Sequence, residues 1–422
     1  MPTALIILPT GTYRAEEYLA AAARLGVMVV TASERAQALA EKMGDRFVEV
    51  PLDDPQQAAE IIFAHARRIP LDAVIAVDDE GLLAASLASE MLGLPHSPPA
   101  AVRRTRDKAA MRVSFATAGV PQPAFEIVTP GSPAGVAAAA SRVGLPVVVK
   151  PCTLSGSRGV IRADSAQDAA ACAERISRIL VAAGEPAGSP QLVERFVPGL
   201  EVAVEAILSG GLLDVVTIFD KPDPLDGPYF EETFYLAPTR LDDNAGRAVE
   251  EATAAAVGAI GLTEGPVHAE LRVPIAAGPE SQPQVAVLEV AGRTIGGRCS
   301  KALMLEGGGT LEDLVIARAV GVQSPPARLA GPAGVLMIPI PRSGILTKVH
   351  HLEKVRGLDH ITGVEITIPN GRRVQALPEG DRYLGFVFAA APDRDDVEHA
   401  LRTALAVLEV EIADGRPDTV VG

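Results

Sequence analysis

Three groups of residues stand where chemistry could use them. The stretch VVVKPCTLSGSRGV, residues 147–160, ends an apolar run in Lys150 and follows it with Thr153, Ser155, Gly156, Ser157 and Gly159. A lysine leaving a strand buried on both faces needs an anionic partner. Glycines after it free backbone N–H groups to cradle an anion. The order differs from the common phosphate loop, where a Lys-Ser/Thr pair follows the last glycine. Taken alone, the stretch reads equally well as a strand exit before a flexible loop.

The second group is Glu270 in HAELRV and Glu289 in LEVAGR, each set among strand formers: Ala269, Leu271, Leu288 and Val290. PIAAGPESQP between them reads as a hairpin loop. Two carboxylates side by side on a sheet repel unless a cation lies between them. Mg²⁺ is held by one or two carboxylates plus substrate phosphates. Arg293 follows Glu289 by four residues and precedes Gly296 and Gly297. A permanent guanidinium there suits a transferring phosphoryl group.

The third group is weaker residue by residue. Lys108 in RTRDKAAM alone reads as a solvated helix face. In LVERFVPGLEV, an adenine would take its backbone contacts over Glu194–Val197, beside Phe196, and a ribose its carboxylate from Glu201. Two half-exposed strands with glutamates facing water explain the same pattern. His268 points away from Ala269 and reads first as a packed histidine, second as a ribose or substrate contact. Asp79 reads first as a helix cap, second as a grip on a substrate ammonium. Lys221 and Glu232, in KPDPLDGPYFEE, would border the site.

These residues need elements to hold them. ALIIL, VMVVTAS and LDAVIAVDDE read as strands alternating with amphipathic helices, which means a parallel sheet with helices on its faces. The first turn carries Gly11 but no G-x-G-x-x-G, so a Rossmann-like shape is expected without dinucleotide binding. GLPHSPP, 93–99, is a break. AAVRRTRDKAAMRVSFATAG reads as one basic helical segment. Strands and an Ala-rich helix follow, then the two glutamate strands. After QSPPARLAGPAG comes a region of strands closed by one helix, RDDVEHALRTALAVLEVEI.

The ordered set is Lys108, Lys150 on a strand, a glycine loop, a Glu-x₂-Val hinge, Glu201, two strand glutamates and Arg293. It resembles the ATP-grasp superfamily over residues 98–320. The resemblance implies an α/β (α+β) fold with ATP between two lobes and the glycine loop as a lid. The implied division is a Rossmann-like pre-ATP-grasp domain at 1–97, a lid subdomain at 98–199, a large subdomain at 200–329 and a C-terminal α+β region at 330–422. HAELRV, LEVAGRTIGGRCSKAL, FDKPDPLDGPYFEETFYL and IPIPRSGIL…LPEGDRYLGFVFA resemble the L-amino-acid ligases most closely. Ala291 replaces an Asn that many ATP-grasp enzymes carry; the amino-acid ligases tolerate a small residue there.

By that resemblance, Lys108 and Lys150 hold the α- and β-phosphates, and the 153–160 loop the β/γ end. Glu194, Phe196 and Val197 line the adenine hinge, and Glu201 binds ribose. Glu270 and Glu289 bind Mg²⁺ or Mn²⁺, and Arg293 steadies an acyl-phosphate. The implied activity is an ADP-forming ligation of a carboxylate and an amine, with amino acids as substrates. Rival readings are an ATP-grasp carboxylase or purine-pathway enzyme, and a non-catalytic ATP-binding subunit.

Composition narrows the partners. The chain has 422 residues, a net charge of −15, no Trp and 4% aromatics. These argue against nucleic acid and anionic membrane as partners. Cys152, Cys172 and Cys299 form no metal spacing or disulfide framework. A cytoplasmic protein is expected, with homodimerisation left open.

Overall fold

The computed structural model describes residues 1–35, 44–274 and 285–414. The chain begins with β1 (Thr3–Ile7), α1 (Ala15–Arg24), β2 (Met28–Ser33), β3 (Phe47–Glu49), α2 (Pro55–Ala66), β4 (Ala73–Ala76) and α3 (Asp79–Leu92). The strands form a parallel sheet in the order β3-β2-β1-β4. The run ALIIL explains why: Leu5 and Ile7 pack against α2 and α3, while Ala4, Ile6 and Leu8 face the rest of the molecule.

The expected basic helix is two helices, α4 (Pro99–Arg106) and α5 (Lys108–Ala118). Asp107 is extended between them, and its Oδ1 accepts from Ala109 and Ala110 N–H at 2.9 and 3.1 Å. This N-cap restarts the helix. It makes Lys108 the first residue of α5.

The next sheet comprises β5 (Phe125–Val128), β6 (Val147–Pro151), β7 (Ile161–Ala163) and β8 (Gln191–Arg195), antiparallel in the order β5-β8-β6-β7. Helices α6 (Pro133–Val143) and α7 (Ala166–Ala182) cover one face and share a core of Val136, Val149, Ile176 and Val193.

The remaining elements are β9 (Leu200–Ser209), β10 (Leu212–Lys221), β11 (Phe234–Ala237), α8 (Asp243–Ile260), β12 (Gly265–Val273), β13 (Ala286–Ala291), α9 (Leu311–Val320), β14 (Ala333–Ile338), β15 (Gly344–His350), α10 (Leu352–Arg356), β16 (Ile361–Ile366), β17 (Arg373–Val374), β18 (Gly385–Ala390), α11 (Arg394–Val407) and β19 (Glu409–Ala413). Eight strands form one antiparallel sheet, β13-β12-β9-β10-β11-β14-β18-β16, and β17-β15-β19 a smaller one. The expected closing helix stops at Val407. The segment that follows alternates exposed Glu409 and Glu411 with half-buried Val410 and buried Ile412, a period of two, and pairs with β15. The short helix α10 was not anticipated. Most of the expected hairpin loop between β12 and β13 lies outside the described residues.

Strand periodicity divides the large sheet's faces. On β9, Val202, Val204, Ala206 and Leu208 pack toward α8, with Val267, Ala269 and Leu271 of β12. The opposite face carries Glu201, Ala203 and Glu205 on β9 and His268, Glu270 and Arg272 on β12. At one end this face packs on the N-terminal sheet, joining Ala203, Ile207 and Phe219 with Ala4, Ile6 and Tyr18. At the other end it is the floor of a cavity.

Candidate active site

The cavity has a volume of about 1240 Å³ and takes walls from every part of the chain. Its floor is a ladder of facing titratable side chains. Register sets Glu201 opposite Arg272, Glu205 opposite His268, and Glu270 opposite Glu289. Arg272 Nε donates to Glu201 Oε2 at 2.8 Å. The Nδ1 of His268 meets Glu205 Oε1 at 2.6 Å, and its Nε2 lies 3.5 Å from Glu270 Oε1. Burial alone would lower the His268 pKa, but the two carboxylates outweigh it and push it up to about 9. Burial would likewise raise Glu270, yet Lys221 and His268 hold it well below the usual carboxylate range.

Glu270 and Glu289 both line the cavity, adjacent and in register as their strands require. The cation nearest to Glu289 is Lys108, whose Nζ is 3.1 Å from Oε1 and also donates to Leu154 O at 2.9 Å. Lys108 therefore ties β13 to the glycine loop. Lys150, next to last in β6, has its Nζ 2.7 Å from Glu194 Oε2. Burial lowers the Lys150 pKa, opposed by Glu194. Arg112 binds the other oxygen of Glu194 and donates to the Val287 and Leu288 carbonyls at 3.0 and 2.6 Å. The Glu194 carboxylate is thus a buried anchor between two cations rather than a group facing water.

Phe196 and Val197 line the cavity. Arg162 lies over the Phe196 ring at 4.5 Å and Arg272 at 5.6 Å. In the glycine loop, Thr153, Ser155, Gly156 and Ser157 face the cavity. Gly159 sits behind it and donates its N–H to Pro378 O at 2.9 Å. Gly156 and Gly159 have φ of +64° and +75°, the left-handed region that favours glycine.

Arg293 and Asp79 meet across two parts of the fold, with Nε 3.0 Å from Oδ2, both lining the cavity. Burial would lower the Arg293 pKa, but Asp79 outweighs it and raises it further. The helix-cap reading of Asp79 is corrected: Asp78 is the N-cap of α3, without a side-chain cap bond, and Asp79 is the first helical residue. Gly296 and Gly297 line the cavity, and Gly297 N–H donates to the Tyr13 hydroxyl at 2.8 Å. Lys221 lies under the floor, bonded to Glu201, Glu232 and Glu270; Glu232 lines the cavity.

Several contributors escaped the sequence reading. Arg14 is buried and donates to the Thr294 hydroxyl at 2.6 Å, bracing the Arg293 loop from the N-terminal sheet. Glu205 accepts from Ile295 N–H at 3.1 Å, bracing it from below. Asp381 and Tyr383 come from the C-terminal region. Arg112 alone left a legible trace: Lys108, Met111, Arg112 and Phe115 share one helical face, so two cations sit on the apolar stripe of α5.

This arrangement of a two-lobed cleft, a glycine loop over lysines and paired strand glutamates defines an ATP-grasp protein. Sequence profiles agree: residues 19–96 match the ATP-grasp N-terminal domain and 143–302 the ATP-grasp domain. The chain belongs to that superfamily. Within it, residues 336–413 match the L-amino acid ligase C-terminal domain 2. A crystal structure of an L-amino acid ligase from Bacillus licheniformis superposes with a TM-score of 0.77 at 24% identity, over 98% of this chain and 99% of that one. The chain is 28% identical over 238 residues to an alanine–anticapsin ligase of Bacillus subtilis, covering 52% of this chain and 49% of that protein. It is 27% identical over 323 residues to an uncharacterized protein, y4rH, of Sinorhizobium fredii, covering 76% of this chain and 64% of the relative. The chain thus spans about half to two thirds of the length of these last two relatives. No helix among the described residues is long and apolar enough to cross a membrane.

Proposed function

We propose that this chain is an ATP-dependent ligase that joins a carboxylate to an amine, with amino acids as substrates, releasing ADP and phosphate. The observation that carries the reading is the convergence of Lys108, Lys150, Arg293 and the opposed pair Glu270–Glu289 on one cavity. The alanine–anticapsin ligase similarity supports amide formation as the reaction class.

The donor set fits a magnesium ion: oxygen ligands on two adjacent strands, open to a cavity where phosphates would complete the shell. Glu270 and Glu289 would hold it, and it would supply charge neutralisation for phosphoryl transfer. The protein residues do the rest. Lys150, anchored by Glu194, holds phosphate oxygens deep in the lid lobe. Lys108 sits between Glu289 and the glycine loop, fixing the tail of the nucleotide against the carboxylates. Phe196 and Val197 wall the base, and Glu201 accepts the ribose hydroxyls.

A substrate carboxylate oxygen attacks the γ-phosphorus, and the bond to the β-phosphate oxygen breaks, giving an acyl-phosphate and ADP. Arg293, held to Asp79, faces the oxyanions of that intermediate. The amine then attacks the acyl carbon, loses a proton and expels phosphate. No side-chain nucleophile is needed; catalysis rests on positioning and charge.

The test is a screen of amino-acid pairs for phosphate release, with chromatography of the nucleotides and mass spectrometry of the products. ADP, phosphate and a condensed product are expected. AMP with pyrophosphate would sink the mechanism, and turnover with bicarbonate but no amino-acid pair would favour a carboxylase.

A further inference from the structure

The cavity floor holds more carboxylates than a magnesium ion needs. Glu201, Glu232 and Glu270 each bring an oxygen within 4.8 Å of the others. Left open, such a trio would cage a divalent ion. It encloses an ammonium instead. Lys221 Nζ lies 2.8 Å from Glu201 Oε1 and 3.1 Å from Glu270 Oε1, and it bonds Glu232 as well. Three N–H donors meet three acceptors. Tyr235 backs the ammonium, its ring centroid 5.0 Å away. Lys221 reaches the trio because it stands opposite Glu201 in register, while Ala203, opposite Glu270, leaves the space between them free of side chain. Both Lys221 and His268 contact Glu270 through Oε1.

Strand order gives this a consequence. Glu289, Glu270, Glu201 and Lys221 lie on four successive strands, β13, β12, β9 and β10. An ion drawn into the trio would move by about one strand spacing, ~5 Å, away from Glu289 and Lys108. A displacement of that size would take it off the reacting phosphates.

We propose that Lys221 is a positioning residue: an ammonium that fills the carboxylate trio, holds Glu270 by one oxygen, and confines the divalent ion to the Glu270–Glu289 side. The proposal rests on Glu270 as a metal ligand.

The experiment titrates Mn²⁺ into the full chain without nucleotide, followed by electron paramagnetic resonance, and measures turnover separately. Lys221→Met should bind Mn²⁺ at least about tenfold more tightly than the parent and lose about 10- to 100-fold in kcat. Lys221→Arg keeps the cation and should gain no such binding. If Lys221→Met folds only when Mn²⁺ is added, as judged by its thermal transition, the trio has become a metal site and the proposal stands. If it folds in neither condition, Lys221→Met with Glu232→Gln removes one charge of each sign and decides: reduced kcat supports the proposal and unchanged kcat overturns it. A folded Lys221→Met with parental Mn²⁺ affinity and kcat overturns it directly. Glu270→Gln separates the two readings. If it leaves Mn²⁺–ATP binding intact, the metal assignment fails; if it abolishes that binding while Lys221→Met behaves as the parent, only the Lys221 proposal fails.

Discussion

Arg293 is the sharpest test at the scale of single residues. It is half-buried, its partner Asp79 comes from the other side of the cavity, and its loop is braced by Arg14 and Glu205. A cation held this firmly costs little reorganisation when charge develops on a phosphoryl group. Arg293→Ala should lower kcat by about 10²–10³, with a smaller change in ATP Kd. Arg293→Lys should recover little, because a point charge lacks the planar two-pronged contact. Near-normal turnover in both would leave Arg293 a structural link to Asp79. Lys150→Met should weaken ATP binding by about a few kcal/mol, since a desolvated phosphate loses its partner. Arg112 still satisfies Glu194 in that variant, so the fold should survive. Unchanged affinity by titration calorimetry would remove Lys150 from the nucleotide. Most of these residues were legible in sequence because their type conflicts with their surroundings: a lysine near the end of an apolar strand, or glutamates flanked by Ala, Leu and Val. Arg272, Glu205 and Arg14 were not legible. Each is one charge in an ordinary strand or turn, and its partner lies 71, 63 or 280 residues away. The register of the large sheet brings Arg272 and Glu205 to their partners, and the packing of the N-terminal unit on the Arg293 loop brings Arg14 to Thr294.

At the scale of elements, the glycine loop is the segment whose expected role as a lid can be tested by exchange. It has left-handed residues at Leu154, Gly156, Ser157 and Gly159, and it is tied down at a few points only. Lys108 holds the Leu154 carbonyl, Pro378 O holds Gly159 N–H, and Arg158 lies 3.9 Å from Asp381. Beside it, Arg175 of α7 makes a two-pronged pair with Glu379 at 2.7 and 2.9 Å. The β5–β8 lobe thus leans on the 376–383 segment of the C-terminal region. Nothing in ALPEGDRY announces this contact, since a stretch of Pro, Gly and charged residues reads as a plain loop. Hydrogen exchange over 153–160 should slow when an ATP analogue is added; equal protection with and without it would count against a lid. Glu379→Ala should quicken exchange in the same residues without nucleotide. The Arg175–Glu379 pair is about one third exposed, so the cost to global stability should stay under about 1 kcal/mol.

At the scale of the whole molecule, the apolar clusters show which parts stand alone. The β5–β8 lobe has an apolar cluster of its own, running from Val128 to Val193. The N-terminal sheet is different. Its Ala4, Ile6, Leu8 and Tyr18 share one cluster with Phe219, Tyr235, Leu314 and Phe386 of the large sheet and its helix. Arg24 adds a two-pronged bond to Asp313 at 3.1 and 3.0 Å, and Arg14 and Tyr13 reach the Arg293–Gly297 loop. The strand–helix alternation of the first 97 residues announced a parallel sheet, but it could not announce this union, because a buried strand reads the same whichever neighbour covers its second face. Local unfolding should follow the clusters. Native-state hydrogen exchange should find the lid lobe opening at lower free energy than the rest, while β1, β9 and β14 open together. Removal of residues 1–97 should then expose the apolar face of the large sheet and leave a fragment that aggregates or lacks a cooperative thermal transition. A soluble fragment with a sharp transition and native-like protection in β9 and β12 would show that the N-terminal sheet is an attached wall rather than part of the core.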